Sequence, residues 1–150
     1  PREPPYLPIV DDTLGVPSTP YFYFPGIDLV SRESTIWRGN WITNFSWLKR
    51  NGPYAALPGD GMLDQTFDRV VPRAVMTGFR PWEFDKRVQA GVIVGWAHKP
   101  AATICEKHLG NGGLVATTFR LTEDLAGADP TATVLLDALI RHASGVSLNN

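Results

Sequence analysis

The sequence predicts an α/β domain of three layers, built on a mixed sheet that ends in an antiparallel meander and is covered by a C-terminal helix. Three observations predict it. Residues 92–121 hold three apolar runs, VIVGW, AATICEKH and LVATTFRL, parted by the turn sequences HKP and GNGG. The last run is partly apolar on both faces, as expected of a sheet with layers on both sides. Beyond it, Ala132, Leu135, Leu136, Leu139, Ile140 and Ala143 recur at the intervals of an amphipathic helix.

The elements can be justified in chain order. Residues 1–30 carry seven prolines, which forbid helix and favour extended or turn structure, so this part reads as a proline-rich extended arm. Residues 31–150 are expected to form a single α/β domain, and the start PREPPYLP, without a methionine, leads to the expectation that it belongs to a longer chain. FSWLKR is expected as a short helix closed by Asn51-Gly52-Pro53. MLDQTFDRVV spaces Met62, Leu63, Phe67, Val70 and Val71 near helical intervals before Pro72, which predicts a second helix. RAVMTGF reads as a strand. In the last strand Val115, Thr117, Phe119 and Leu121 share one face, and Leu114, Ala116, Thr118 and Arg120 the other. The final helix opens on Asp129 as N-cap with Pro130 at its first position.

Composition bounds the function. A chain of 150 residues with 43% hydrophobic content can bury one core. The formal charge of −1, from 14 basic and 15 acidic residues without blocks, disfavours nucleic acid and anionic membranes as partners. One cysteine rules out an internal disulfide and a CxxC metal site. No apolar run reaches the roughly 18 residues of a membrane span, and no signal segment opens the chain. The expectation is a soluble chain of undetermined compartment.

Several residues invite a chemical reading. Cys105 could serve as a thiol nucleophile with His98 or His108. A hydrolase nucleophile on an α/β fold sits on a strand-to-helix elbow beside backbone donors, with small residues around it. The context TICEKH has no flanking glycine and runs on as a strand. Alternation places Cys105 with Thr103 and Lys107, opposite Ile104, as a half-buried structural residue. His98, His108 and His142 lack the spacing of metal ligands, and His142 falls on the last helical turn, where a cation suits the macrodipole. The acids Asp60, Asp64 and Asp68, and Glu83 with Asp85, could act in pairs, as glycoside hydrolysis requires. Asp64 and Asp68 instead read as a solvated helix face with Arg69, and Asp60 as a turn or cap residue. Trp37, Trp41, Trp47 and Trp82, with Tyr21 and Tyr23, suit either core packing or stacking on sugar rings. The stretch TIWRGNW makes Trp37, Arg38, Asn40 and Trp41 the candidates for contact with a sugar or a neighbouring domain.

The segments IDLVSRESTIWRGNWITNFSWLK, LPGDGMLDQTFDRVVPRAVMTGF, VQAGVIVGWAHKPAATI and GNGGLVATTFRL, with DPTATVLLDALIRHA, together resemble the C-terminal region of bacterial family-2 glycoside hydrolase relatives, the β-galactosidase and β-glucuronidase group. In these, a β-sandwich and a catalytic (β/α)₈ barrel precede a module similar to class I glutamine amidotransferases and trehalose-utilisation-like domains. The resemblance covers roughly residues 26–143 and implies an incomplete flavodoxin- or amidotransferase-like fold, because 150 residues supply mainly the latter half of a doubly wound domain. No segment matches the catalytic glutamates of the barrel, and the elbow cysteine of the amidotransferases is missing. The resemblance therefore implies a non-catalytic accessory module without a cofactor or metal, whose partners are a catalytic barrel of the same or another chain, a carbohydrate, or a second copy of itself. The alternatives are a cysteine-dependent hydrolase or amidotransferase-like enzyme using Cys105, and a stand-alone sugar-binding module.

Overall fold

The computed structural model describes residues 26–33, 35–37, 44–95, 99–109, 112–122 and 125–148. Its centre is a six-stranded sheet: β1 (Asp28–Ser31), β2 (Asn44–Leu48), β3 (Ala74–Thr77), β4 (Val88–Val94), β5 (Lys99–Leu109) and β6 (Gly112–Thr117). The spatial order is β1-β3-β5-β4-β2, with β6 on β5 beyond the end of β3. All five ladders are antiparallel. The parallel contact among the described residues is an isolated bridge between Ala126 and Asp129. The predicted meander is present as β4, β5 and β6. Most of the proline-rich arm, residues 1–25, lies outside the described residues, as do the turn positions 96–98 and 110–111.

Helix α2 (Pro130–Leu148) covers one face. It starts as expected: the Asp129 carboxylate accepts a hydrogen bond from the Ala132 amide at 2.9 Å, satisfying a donor that the helix leaves open. Under it Ala132, Leu135, Ala138 and Leu139 join Leu48, Tyr54, Leu57, Phe67, Val70, Ala90, Ile104, Phe119 and Leu121 in the main core cluster. Two expected core positions differ, since Ile140 is 58% exposed and Ala143 is exposed. Ala138 is buried instead, because the stripe that meets the sheet is rotated about the helix axis toward Ala138 and His142 and away from Ile140 and Ala143.

The opposite face carries a second cluster of Ile27, Met76, Val88, Ala102 and Cys105, with Trp47, Phe79 and Phe84 packed against it. Phe84 comes from the short helix α1 (Pro81–Arg87), so the domain has three layers. Glu83 caps α1 by accepting a hydrogen bond from the Arg80 amide at 3.2 Å. A third cluster, Trp37, Val75, Val92, Val94 and Ala101, continues the α2 side of the sheet.

Two predicted helices are otherwise in the structure. The first four residues of FSWLKR belong to edge strand β2, which pairs with β4 from Asn44↔Val94 to Leu48↔Ala90. Phe45 and Trp47 share one face of the pleat while Ser46 and Leu48 take the other, and pairing with a distant strand overrides the local helical pattern. MLDQTFDRVV yields a 3₁₀ helix over Gln65–Val70, capped by Asp64, while Met62 bridges back to Trp47. One tight turn set is enough to bury Phe67 and Val70 before Pro72 stops it. A further 3₁₀ helix spans Gly52–Ala56.

The β4–β5 register shifts between Val88 and Ala90 and again between Ala90 and Gly91. A bulge turns successive side chains to new faces. Ala102 therefore joins Cys105 in one cluster while Ile104 lies in another, which strict alternation does not allow. β6 ends at Thr117, earlier than the pattern implies, yet Phe119 and Leu121 stay buried on the α2 side with Val115 packed beside them.

Candidate functional site

Cys105 is buried, at 1% exposure, rather than half-buried. Its Sγ lies 3.6 Å from Met76 Sδ. Burial pushes the thiol up to about 12, far from the thiolate form that a nucleophile needs. His108 stands on the opposite face of β5, the face from which Glu106 reaches α2, and His98 lies outside the described residues. The strand thus separates the thiol from the imidazole that would activate it.

A second group of ionisable residues forms where α2 crosses β5. His142 Nε2 lies 2.9 Å from Glu106 Oε2, with side-chain exposures of 10% and 21%. The Tyr54 ring packs on the imidazole with centroids 5.4 Å apart. Burial, and then the charge of Glu106, hold the phenol in its protonated form, and its hydroxyl has no hydrogen-bond partner among the described residues. Sequence reasoning missed this group. Glu106 shares the face of Ile104 by strand alternation, and His142 follows Leu135 by two helical turns, so each half was visible, but not their meeting.

The third arrangement is a cleft of about 350 Å³ on the α2 side of the sheet. Arg32, Ser46, Asp64, Gln65 and Asp68 supply its polar lining, and Leu63, Phe67, Val71 and Phe119 its apolar part. Arg32 follows edge strand β1 and Ser46 lies on edge strand β2, so the two rims of the sheet contribute to one cleft. Two backbone carbonyls hold the guanidinium: Nε donates to Trp37 at 2.9 Å and Nη1 to Pro72 at 3.2 Å. Asp64 is anchored by Thr66, whose amide and hydroxyl donate to Oδ1 at 2.9 and 2.6 Å, and these bonds lower its pKa. Among the described residues neither Arg32 nor Asp68 has an ion-pair partner.

The residues singled out from the sequence are dispersed. Trp37 is 7% exposed and belongs to the third core cluster, while Arg38, Asn40 and Trp41 lie outside the described residues. Trp82 is 61% exposed, with the Arg80 guanidinium 5.4 Å from its ring. Asp60 is a turn residue that accepts a hydrogen bond from the Met62 amide. Arg69 pairs with Asp129 at 3.6 Å, not with Asp64 or Asp68, because the 3₁₀ turn aims it at the start of α2. Among the described residues no group of three His, Cys, Asp or Glu side chains is placed to hold a metal. No helix among them is long and apolar enough to cross a membrane. No protein-family model, curated protein or solved structure matches the chain.

Proposed function

We propose that this chain is a non-catalytic accessory module of a carbohydrate-active enzyme, docked on a catalytic unit that belongs to the same polypeptide or to a partner. The observation that carries the docking is the pair Phe45 and Ile93, 47% and 40% exposed and directly opposite each other on β2 and β4. Ile93 in turn faces Pro100 on β5, itself exposed. These three make an apolar stripe across three strands, on the face that α1 covers only near Trp47 and Phe84. Apolar surface grouped on a sheet face favours a protein neighbour over water. The buried, protonated Cys105 supports a structural thiol, and the family resemblance supplies the carbohydrate context.

Two assays test the reading. The purified chain should not hydrolyse chromogenic aryl glycosides, and turnover that disappears when one of its own carboxylates is mutated would overturn it. With the catalytic unit present, Phe45→Asp or Ile93→Asp should weaken association at least about tenfold, since a charge forced into an apolar contact costs more than 1.4 kcal/mol. Unchanged association would remove this face as the docking surface.

A further inference from the structure

We infer that the cleft between Arg32 and the 3₁₀ helix of Asp64–Asp68 is a binding subsite for a single neutral hexose ring. This rests on the carbohydrate-active reading above and deepens it. The argument starts from what the cleft offers. Arg32 already spends Nε and Nη1 on the carbonyls of Trp37 and Pro72. This fixes the plane of the guanidinium and leaves Nη2 to donate to a ligand. Asp64 commits Oδ1 to Thr66, leaving Oδ2 as an acceptor, and Asp68 has both oxygens available.

A sugar hydroxyl is both donor and acceptor, so it can give its hydrogen to a carboxylate and accept from the guanidinium in the same plane. Phe119 and Val71 provide an apolar wall for the C–H face of a pyranose. The volume, about 350 Å³, is at the low end for ligand clefts, roughly 300–1,000 Å³, which suits one ring better than an oligosaccharide. Charge narrows the class further. Two carboxylates against one guanidinium leave the lining net negative, which disfavours phosphorylated sugars and uronates.

Titration of the ¹⁵N-labelled chain with glucose, galactose, glucuronate and glucose 6-phosphate, followed by amide shifts, tests this directly. Glucose or galactose should bind with a Kd of about 1–10 mM, as expected for a monosaccharide on a small open site. The shifts should centre on the Ser46, Gln65 and Phe119 amides, and the two anions should bind at least several-fold more weakly. Asp68→Asn should weaken hexose binding about tenfold, with the spectrum otherwise preserved because Asp68 is exposed. Arg32→Ala removes the bonds that order the Trp37 and Pro72 carbonyls, so Arg32→Lys serves as the milder control and should also lose affinity.

Shifts elsewhere, binding unaffected by Asp68→Asn, tighter binding of the anions, or no shifts with either hexose would each overturn the subsite. Failure here leaves the docking and aryl-glycoside assays untouched. Turnover by the chain itself would remove the module reading whatever the titration shows.

Discussion

His142 on α2 and Glu106 on β5 meet at 2.9 Å across 36 residues of sequence. The contact fastens the later turns of the helix to the end of the strand that pairs with β6. With both groups largely out of water, Glu106→Gln or His142→Ala should cost about 1–3 kcal/mol, the range for leaving a buried polar group without its partner. A double-mutant cycle by urea denaturation should return a coupling energy above about 0.5 kcal/mol. Strict additivity would show that the two side chains contribute independently.

The buried thiol predicts both a reactivity and a pH dependence. Native Cys105 should resist iodoacetamide at about pH 8, where a free thiol near its ordinary pKa reacts readily. Its folded pKa is raised to about 12 from 9.0. The unfolded chain therefore loses this proton first, so stability is level below about pH 9 and falls as pH rises toward 12. Tyr54, raised from its ordinary 10.0, acts in the same direction. Urea midpoints that rise above about pH 9.5 would contradict the sign. Cys105→Ala should cost about 1–2 kcal/mol and abolish only the thiol part of the slope.

Gly91 lies beneath the Trp47 indole, and a Cβ there would meet the Ala101 carbonyl oxygen at 2.4 Å and the ring at 3.1 Å. The obstacle is backbone of the neighbouring strand as well as a side chain, so it cannot simply swing away. Gly91→Ala should therefore destabilise by about 1–3 kcal/mol, although alanine is no larger than one methyl group. A melting temperature equal to that of the unaltered chain would mean that the strands at the register shift can separate without cost.

At the start of α2 the Asp129 side chain caps the Ala132 amide while its other oxygen lies 3.6 Å from Arg69. Asp129→Ala should cost about 0.5–2 kcal/mol. Asp129→Asn should recover most of that loss, because the amide oxygen still caps and an ion pair to an exposed arginine contributes little. An equal loss in both variants, measured by thermal unfolding, would assign the effect to charge instead.

Leu135 is fully buried and Leu136 only partly packed against the same cluster. Leu135→Ala should cost about 2–5 kcal/mol and Leu136→Ala clearly less. The reverse order, again by urea denaturation, would require a different rotation of the helix on the sheet.

The sequence by itself determined the elements whose signals are local. Asp129-Pro130 and the apolar intervals that follow specify α2, because a cap and a 3.6-residue period act within one segment. The turn sequences and apolar runs of residues 92–121 specify the meander in the same way, and TICEKH already marked Cys105 as a strand residue. Tertiary structure decided everything that depends on distant partners. β2 is a strand because β4 pairs with it, although FSWLKR read alone suggests a helix. The shifts in β4–β5 register put Ala102 and Cys105 in one cluster, against strict alternation. The cleft needs Arg32 and Ser46 from opposite rims of the sheet, and the ionisable group needs Glu106, Tyr54 and His142 from three elements. Periodicity reports which way a side chain points within its own segment, and only the closing of the chain settles what it meets there.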